Sequence, residues 1–381
     1  MHMMPHVDFD HAPFLVIWET TQACDLACRH CRASAQPERD SRELTTAEGT
    51  RLLAEVAEMG TPVFILSGGD PVKRPDICHL VRAGKSLGLR MGTIPAATST
   101  LTKDLVFSLK EAGLDQMALS LDFPRADLHD AFRGVPGAFA KTMQGIEWAH
   151  QAKLPLQINT TISGRSAASF AEMAEFVKGL GIVFWEVFFL VPVGRGIDLG
   201  GLEAEQCEEL FEVLYRVQKD ADFIVKVTEA PHYRRYVAQR EQQELGGRPP
   251  AAGDGAAMPQ QLLRSEGPGH TVGLAPRGVN AGNGFVFVSH TGDVYPSGFL
   301  PVCAGNVRTE PLGHIYRNSG LFRSLRDPDR LLGRCGRCEF RTICGGSRSR
   351  AFALTGNYLA TDPWCAYEPR AESSPRPLAA S

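Results

Sequence analysis

Three cysteines stand close together near the start of the chain, in the run Cys24-Asp25-Leu26-Ala27-Cys28-Arg29-His30-Cys31. Thiolates at this CxxxCxxC spacing, on a loop directly after an apolar run, can converge on one iron-sulfur cluster. Three ligands for a four-iron cluster leave one iron open to bind a substrate or cofactor. A structural zinc site is the alternative, although zinc patterns usually contain paired CxxC with a fourth ligand.

A second set of cysteines lies near the carboxyl end. Cys335 and Cys338 form a CxxC, Cys344 follows after five residues, and Cys365 follows after twenty more. Four such thiolates are a complete ligand set for a further cluster with no open iron, suited to structure or electron transfer. Zinc remains the alternative, because CxxC with two distant cysteines is also a zinc pattern.

The composition is that of an ordinary globular protein. The 381 residues are 43% hydrophobic and 22% charged, with a net charge of -3. These values exclude a disordered or collagen-like chain and give no reason to expect nucleic acid or a membrane as partner. The longest apolar stretch, Val183 to Val193, is too short to cross a bilayer, and no export leader is recognisable. We therefore predict a cytoplasmic protein, in which the ten cysteines bind metal or act as thiols rather than form disulfides.

Short strand-like runs alternate with amphipathic helical stretches up to about residue 190. The predicted strands are Phe14 to Glu19, Val63 to Ser67, Leu89 to Ile94, Gln116 to Leu121, Leu156 to Thr161 and Val183 to Leu190. The predicted helices are Thr46 to Met59, Asp76 to Leu87, Thr102 to Ala112, Phe139 to Ala152 and Ala168 to Leu180. This is an α/β pattern with a parallel sheet, either doubly wound or curled into an incomplete barrel, and both gather ligands at the carboxyl ends of the strands.

The pattern changes after Gly194. We predict a barrel core over residues 1–194, linking helices and a flexible loop over 195–284, a small cluster domain over 285–367 and a disordered tail over 368–381. The loop from Gly246 to Gly284 is rich in Gly, Pro and Ala, which is typical of a mobile lid. Phe285 to Ser289 and Val294 to Tyr295 are predicted to form a hairpin.

The first cysteine motif resembles the signature of the radical S-adenosylmethionine (SAM) superfamily, which has this spacing at this place in a partial (β/α)6 TIM-like barrel. Ser67-Gly68-Gly69-Asp70-Pro71, after the second predicted strand, is similar to the glycine-rich motif of that family. The resemblance implies that its backbone carbonyls and Asp70 hold the amino group of the methionine moiety. Paired glycines also permit close approach of the backbone to a ligand.

Further contacts with SAM follow from the same resemblance. Ser120 and Asp122, at the end of the fourth strand, resemble the ribose and carboxylate contacts, and Arg133 resembles the arginine that pairs with the methionine carboxylate. A strand-end serine and an exposed ion pair are the alternative interpretation of these three. His30 stands where many members place an aromatic residue against the adenine. Thr93 and Asn159, at the ends of the third and fifth strands, are candidates for lining the active site.

The second cysteine set is similar to the carboxyl-terminal half of the SPASM domain, an α+β iron-sulfur domain attached to many radical SAM enzymes. A full SPASM domain holds two auxiliary clusters, but Asn280, Ser297 and Arg348 occupy positions where further cysteines would stand. We therefore expect one auxiliary 4Fe-4S cluster beside the SAM-binding 4Fe-4S cluster. Cys303 lies near the missing site; a spare cluster ligand is one interpretation, and a buried thiol is the prediction that we favour. Cys78 and Cys207, in predicted helices, are expected in the core.

The resemblance implies reductive cleavage of SAM to a 5'-deoxyadenosyl radical that abstracts hydrogen from a substrate. The cysteine set and the run Cys344 to Ala351 resemble enzymes that modify propionate side chains in haem-type tetrapyrrole biosynthesis. Five arginines can then be interpreted either as carboxylate ligands or as a solvated face, namely Arg334, Arg337, Arg341, Arg348 and Arg350. The electron donor is expected to be a reductant such as flavodoxin or ferredoxin.

Two other functions are compatible with the sequence. One is maturation of a ribosomally synthesised peptide, the commoner role of SPASM-bearing enzymes. Such enzymes often carry an amino-terminal peptide-binding domain, and this chain reaches its first predicted strand by Phe14. The other is a non-catalytic iron-sulfur electron-transfer protein, in which an open-iron motif beside a SAM-like pocket would have no purpose.

Overall fold

A ten-stranded sheet organises the chain in the computed structural model, which describes residues 7–246 and 278–370. Its strands are β1 (Leu15–Glu19), β2 (Val63–Ser67), β3 (Arg90–Thr93), β4 (Gln116–Ser120), β5 (Leu156–Ile162), β6 (Phe184–Phe189), β7 (Ile224–Thr228), β8 (Phe285–Val288), β9 (Asp293–Tyr295) and β10 (Gly305–Asn306). Their order in the sheet is β10-β9-β8-β1-β2-β3-β4-β5-β6-β7. Strands β1 to β7 pair in parallel, as the alternation of strands and helices predicts.

Helices follow the strands. They are α1 (Thr46–Glu58), α2 (Ile77–Ser86), α3 (Lys103–Glu111), α4 (Ala126–Arg133), α5 (Ala138–Gln151), α6 (Phe170–Lys178), α7 (Ala204–Asp220), α8 (His232–Glu244), α9 (Leu312–Asn318), α10 (Gly320–Arg326), α11 (Gly333–Arg337) and α12 (Arg348–Thr355). Helix α1 begins at a capping box in which Thr45 and Glu48 each bond to the other's backbone amide. Its residues Leu52, Leu53 and Val56 are buried, so its apolar stripe is the face that packs on the core.

The sheet curls around an internal cavity. Residues of β1 and residues of β6 and β7 line the same cavity, although five strands separate β1 from β7 in the sheet order. Along β1, Ile17 faces this cavity while Val16 and Trp18 are fully buried among the helix-facing core residues. The predicted fold is thereby confirmed as a partial barrel of the TIM type with a carboxyl-terminal extension.

The predicted hairpin joins the barrel directly. Strand β8 pairs in parallel with β1 and antiparallel with β9. The barrel sheet and the hairpin are therefore continuous, and the turn after β8 lies beside the end of β1. The sequence did not predict this pairing, because β1 and β8 are about 270 residues apart and no local pattern records which strand closes an edge.

The structure tests the predictions for the isolated cysteines, whereas the predicted loop and tail lie largely outside the described residues. Most of the predicted Gly246 to Gly284 loop, and the tail beyond residue 370, are not described. Cys207 is buried in α7 and Cys78 is partly buried in α2, whereas the prediction that Cys303 is buried is wrong. Cys303 is exposed, and its Sγ lies 3.3 Å from the Gly305 carbonyl oxygen. The described helices include none long and apolar enough to span a membrane.

Candidate active site

The loop after β1 carries the first three cysteines. Cys24 and Cys28 are buried and Cys31 is partly buried. Burial, with smaller contributions from Asp70, Cys28 and Cys31, raises the pKa of the Cys24 thiol to about 12. The three sulfurs therefore lie close enough to repel one another as thiolates. Buried thiols lose their protons readily only to a cationic metal group, so this donor set fits an iron-sulfur cluster.

The glycine-rich loop after β2 packs directly on the cysteine loop. Gly69 N–H donates to the Thr21 carbonyl at 2.7 Å, and Asp70 N–H donates to the Ala23 carbonyl at 2.7 Å. A Cβ atom at Gly69 would lie 2.6 Å from the carbonyl oxygens of both Gln22 and Ala23. Glycine is therefore required here by the approach of two backbone segments, whatever else the loop binds.

The Asp70 carboxylate is fully buried and already has donors from the chain itself. Its Oδ1 accepts from Ala96 N–H at 3.1 Å, and its Oδ2 accepts from the hydroxyls of Thr98 and Thr100 at 3.2 and 2.8 Å. Burial raises its pKa although these donors oppose that shift. Pro71 begins the short 3-10 helix Pro71–Lys73 that Asp70 caps. Asp70 thus holds the segment after β3 against the glycine-rich loop.

Asp122 and Arg133 meet each other in the interior. Arg133 Nη2 lies 2.6 Å from Asp122 Oδ2, and Arg133 Nη1 lies 3.7 Å from Cys28 Sγ. Asp122 also accepts from Thr161 N–H at 2.9 Å. The alternative of an exposed ion pair is wrong, because both side chains are buried. The arginine links the end of β4 to a cysteine of the first motif.

His30 stacks on an aromatic ring of its own chain. Its imidazole lies 4.5 Å from the Phe132 ring with an interplanar angle of 14°. Burial, aided by Arg133 and Arg195, lowers the pKa of His30 well below its usual value, so the ring is neutral. Its Nδ1 is buried and has no hydrogen-bonding partner in the described part of the chain. One face of His30 is therefore already covered by Phe132.

The remaining strand-end candidates, Thr93, Asn159 and Ser120, have different surroundings. Thr93 lines the barrel cavity, and its hydroxyl donates to the Leu66 carbonyl at 2.9 Å. Asn159 is buried and accepts from Gln157 Nε2 at 2.6 Å, so it belongs to a polar row across β5. Ser120 is partly exposed and pairs with Asn159 in the sheet register. These placements agree with parallel strands ending at one edge.

The second cysteine set surrounds a small cavity. Cys335, Cys338, Cys344 and Cys365 all line it, together with His232 and Gly346. Burial raises the pKa of Cys338 to about 11, with contributions from Glu339, Cys335 and Cys365. Across residues 7–246 and 278–370, no three His, Cys, Asp or Glu side chains close around a single metal ion. The four sulfurs line one small cavity, and four thiolates are the ligand number of a 4Fe-4S cluster.

Asn280, Ser297 and Arg348, which stand where a full SPASM domain would have cysteines, form hydrogen bonds with other parts of the chain. Asn280 Nδ2 donates to the Cys344 carbonyl at 2.8 Å, and Ser297 Oγ donates to Glu229 Oε1 at 3.2 Å. Arg348 donates to the carbonyls of Tyr358 and Ala360 at 2.8 Å each. Asn280 thus ties the segment before the hairpin to the carboxyl-terminal segment, Ser297 ties the segment after the hairpin to the loop after β7, and Arg348 braces the carboxyl-terminal segment itself. They support the prediction of one auxiliary cluster.

The five carboxyl-terminal arginines do not form a carboxylate-binding face. Arg348 and Arg350 are buried, so the solvated-face interpretation is wrong for both. Arg350 donates to the Glu229 carbonyl and stacks on the Trp364 ring. Arg334 and Arg341 are paired with Glu368 and Asp329, and Arg337 is exposed. Of the five, Arg348 alone lines the barrel cavity, and its donors already bind chain carbonyls.

The barrel cavity itself has a volume of about 310 Å³ and an apolar, aromatic wall. Phe184, Phe188, Phe285, Phe287 and Phe299 contribute to that wall. Besides Arg348, its charged residues are Arg32, Glu186, Lys226, Glu229 and Arg234, and none of these five was a candidate site residue in the sequence. One signal was available: Glu186 interrupts the longest apolar run of the chain. A charged residue inside a buried strand indicates a polar function or a paired charge.

Comparison with known proteins identifies two family models in this chain. The radical SAM superfamily model matches residues 18–177, and an iron-sulfur cluster-binding domain model, SPASM, matches residues 280–339.

Curated relatives align over most of the chain. The AdoMet-dependent heme synthase of Methanosarcina barkeri is 40% identical over 94% of this chain and 98% of its own length. The Fe-coproporphyrin III synthase of the same organism is 28% identical over 92% and 87%. The PqqA peptide cyclase of Rhizobium meliloti is 27% identical over 94% and 88%. Among solved structures, Streptococcus suis SuiB has the same fold, with a TM-score of 0.70 at 17% identity over 94% of this chain and 78% of SuiB.

Proposed function

Because this chain belongs to the radical SAM superfamily, in the SPASM-bearing group that includes the AdoMet-dependent heme synthases, we propose that it modifies propionate side chains of a haem-type tetrapyrrole. The family assignment makes it an enzyme with a SAM-binding 4Fe-4S cluster, SAM and an auxiliary iron-sulfur cluster. Cys24, Cys28 and Cys31 would hold the first cluster, which would supply the electron for reductive cleavage of SAM to the 5'-deoxyadenosyl radical that abstracts hydrogen from the substrate. The substrate is a small molecule or a peptide.

The barrel cavity is the observation that carries the tetrapyrrole proposal. A cavity of about 310 Å³ with six phenylalanines in its wall, Phe14 among them, suits a flat, apolar ring system. Its charged side chains suit a ligand that also carries carboxylates at its edge. The cavity is lined both by Arg32, next to Cys31, and by Gly346, near Cys344, so a bound ligand lies between the two cysteine sets.

We assign the candidate site residues to two roles, ligands of the clusters and contacts of SAM. Cys24, Cys28 and Cys31 are the proposed ligands of the SAM-binding cluster, and Cys335, Cys338, Cys344 and Cys365 those of the auxiliary cluster. The proposed contacts of SAM are Gly68, Gly69, Asp70, Pro71, Ser120, Asp122, Arg133 and His30. Asp70 and Asp122 act chiefly by positioning, because their oxygens already accept hydrogen bonds or an ion pair from the chain.

Electron supply and location complete the proposal. We infer a small reductant such as flavodoxin or ferredoxin, a cytoplasmic location and no nucleic-acid partner. The net charge of -3 supports the last point.

The test uses anaerobically reconstituted full-length protein, SAM, a chemical reductant and Fe-coproporphyrin III deuterated in its propionate side chains. We expect deuterium in 5'-deoxyadenosine together with a change in tetrapyrrole mass, both measured by mass spectrometry. A Cys28→Ala variant is the control for label that arrives by another route. Formation of 5'-deoxyadenosine without deuterium, and an unchanged tetrapyrrole, would overturn the proposal.

Peptide maturation is the rival function. The similarity to a PqqA peptide cyclase over 94% of the chain keeps it as the second candidate, at lower identity than the heme synthase. The same assay with deuterated candidate peptides separates the two, because label then passes to 5'-deoxyadenosine from the peptide and not from the tetrapyrrole.

A further inference from the structure

Arg32 is held at the wall of the barrel cavity, one residue after Cys31. Its guanidinium carbon lies 4.3 Å from the centre of the Phe287 ring, and its Nη2 lies 3.1 Å from Glu19 Oε1. A Cβ atom at Gly298 would lie 3.0 Å from Arg32 Nε. The glycine therefore leaves the room that the guanidinium occupies. A stacked ring and an ion pair together limit the orientations of this side chain.

Glu19 is a fixed partner rather than a mobile surface carboxylate. It is 2% exposed, and its Oε2 lies 3.0 Å from His290 Nδ1 on the turn after β8. Burial opposes its ionisation, but Arg32 and His290 outweigh burial and hold the pKa of Glu19 below its usual value. The arrangement His290–Glu19–Arg32 thus links the hairpin, the end of β1 and the first cysteine loop.

One edge of the Arg32 guanidinium remains available to a ligand. Its Nη1 has no acceptor within residues 7–246 and 278–370, and the side chain is 20% exposed. The other arginines of the cavity differ. Arg234 donates to Asn280, Ile343 and Val279, and Arg348 donates to chain carbonyls. Lys226 is paired with Glu186 at 2.9 Å.

We propose that Arg32 binds a carboxylate of the substrate inside the barrel cavity, and that Glu19 is the positioning residue that orients it. This inference rests on the proposed function, because it names the group that recognises the tetrapyrrole's propionate. Arg32 directly follows Cys31, a proposed ligand of the SAM-binding cluster, and it lines the barrel cavity. A carboxylate on Arg32 is therefore held beside the cysteine loop, while the Phe287 ring under the guanidinium continues into the aromatic wall.

The experiment compares two ligands on reconstituted full-length protein, by absorbance titration at the Soret band. The ligands are Fe-coproporphyrin III and its propionate methyl ester, which keeps the ring but lacks the negative charges. With the acid, Arg32→Gln should raise Kd by roughly 10- to 100-fold, the range for a hydrogen bond to a charged group. With the ester, the same substitution should leave Kd nearly unchanged.

Two more variants separate recognition from structure. Arg32→Lys keeps the charge but loses the planar fork, so its Kd for the acid should lie between those of the wild type and Arg32→Gln. Glu19→Gln should weaken binding of the acid more than binding of the ester, although by less than Arg32→Gln. Arg334→Gln is the matched control. Like Arg32, Arg334 is adjacent to a proposed cluster ligand, here Cys335, but it lies outside the barrel cavity. Its Kd values should equal those of the wild type, and iron content verifies that each variant keeps its clusters.

The outcomes separate the two proposals. If the wild type binds neither ligand, the proposed tetrapyrrole function is wrong, and so is the proposal that Arg32 binds the tetrapyrrole's carboxylate. If the wild type binds the acid but Arg32→Gln weakens acid and ester equally, or neither, then Arg32 does not recognise the carboxylate and the function stands without it.

Discussion

Arg133 joins a buried carboxylate to a cysteine of the first motif: its Nη2 lies 2.6 Å from Asp122 Oδ2 and its Nη1 lies 3.7 Å from Cys28 Sγ. Both residues resemble SAM contacts in sequence, yet in the structure the charge of each is matched by the other. A ligand carboxylate that approaches Arg133 would share the guanidinium with Asp122. The pair therefore has a structural role in the chain itself, independent of any role in SAM binding.

Breaking this pair should destabilise the protein. Asp122→Asn keeps the shape of the side chain but leaves the Arg133 charge without its partner in the interior. We expect the free energy of unfolding to fall by about 3 to 5 kcal/mol, as for removal of one member of a buried ion pair. Urea unfolding monitored by circular dichroism measures the change.

The control for that prediction is an exposed pair at the start of α4. Arg125 and Asp127 are 2.8 Å apart but largely exposed, so Asp127→Asn should have no measurable effect. Equal effects of the two substitutions would mean that Asp122 and Arg133 are not paired in the interior.

The two cysteine sets should lose iron independently. The reconstituted wild type should contain about eight irons per chain, from two 4Fe-4S clusters. Replacing Cys24, Cys28 and Cys31 with alanine should remove about four and abolish release of 5'-deoxyadenosine, while replacing Cys335, Cys338, Cys344 and Cys365 should remove the other four. Colorimetric iron analysis and chromatography of 5'-deoxyadenosine give the two readouts.

Cys303→Ala is the matched control for the cysteine experiment, because Cys303 is exposed and belongs to neither set. Its iron content should equal that of the wild type. Stoichiometric zinc, or only about four irons in the wild type, would contradict the assignment of two clusters.

Gly69 should not tolerate a side chain. Its Cβ would lie 2.6 Å from two carbonyl oxygens of the cysteine loop, so Gly69→Ala must push that loop away. An overpacking cost of about 1 to 3 kcal/mol on the SAM-binding arrangement of the two loops predicts SAM binding weaker by roughly 5- to 150-fold. Equilibrium dialysis with labelled SAM measures it. Gly320, where a Cβ atom meets nothing within 4 Å, provides the control variant Gly320→Ala, which should bind SAM normally.

His290 should make stability depend on pH near neutrality. Burial opposes protonation of His290, but Glu19 outweighs it, with help from Asp40 and Glu43, and raises the pKa of the imidazole. A group with a raised pKa in the folded state contributes stability below its unfolded pKa and loses that contribution as pH rises through the folded value. Glu19 stays ionised over this range, because its own pKa is lowered.

The measurement is the difference in unfolding free energy between the wild type and His290→Asn. It should be about 1 to 2 kcal/mol at pH 6 and should decline as pH rises above 7. A difference that grows with pH, or that does not change between pH 6 and 9, would show that His290 is neutral in the folded protein.

Local patterns predicted the barrel well. Each of the six predicted strands falls within two residues of an observed one, from β1 (Leu15–Glu19) to β6 (Phe184–Phe189). Apolar runs bounded by glycine are local signals, and burial on both faces of a parallel strand leaves little choice of residue. Helix α4 (Ala126–Arg133) was missed, since its eight residues carry neither a side-chain cap nor a long apolar stripe.

The sequence by itself determined the two cysteine sets and the superfamily, because ligands on a short loop are encoded by their spacing. Only the tertiary structure decided which charges are paired. Asp122 and Arg133 lie 11 residues apart and Glu19 and Arg32 lie 13 apart, at the two ends of segments whose course no local pattern records, while Glu19 and His290 are 271 residues apart. The sequence suggested the carboxyl-terminal arginines as carboxylate ligands, and only the tertiary structure replaced them with Arg32. A guanidinium is available to a ligand only where packing leaves a donor unmatched, and packing depends on strand order rather than on any local pattern.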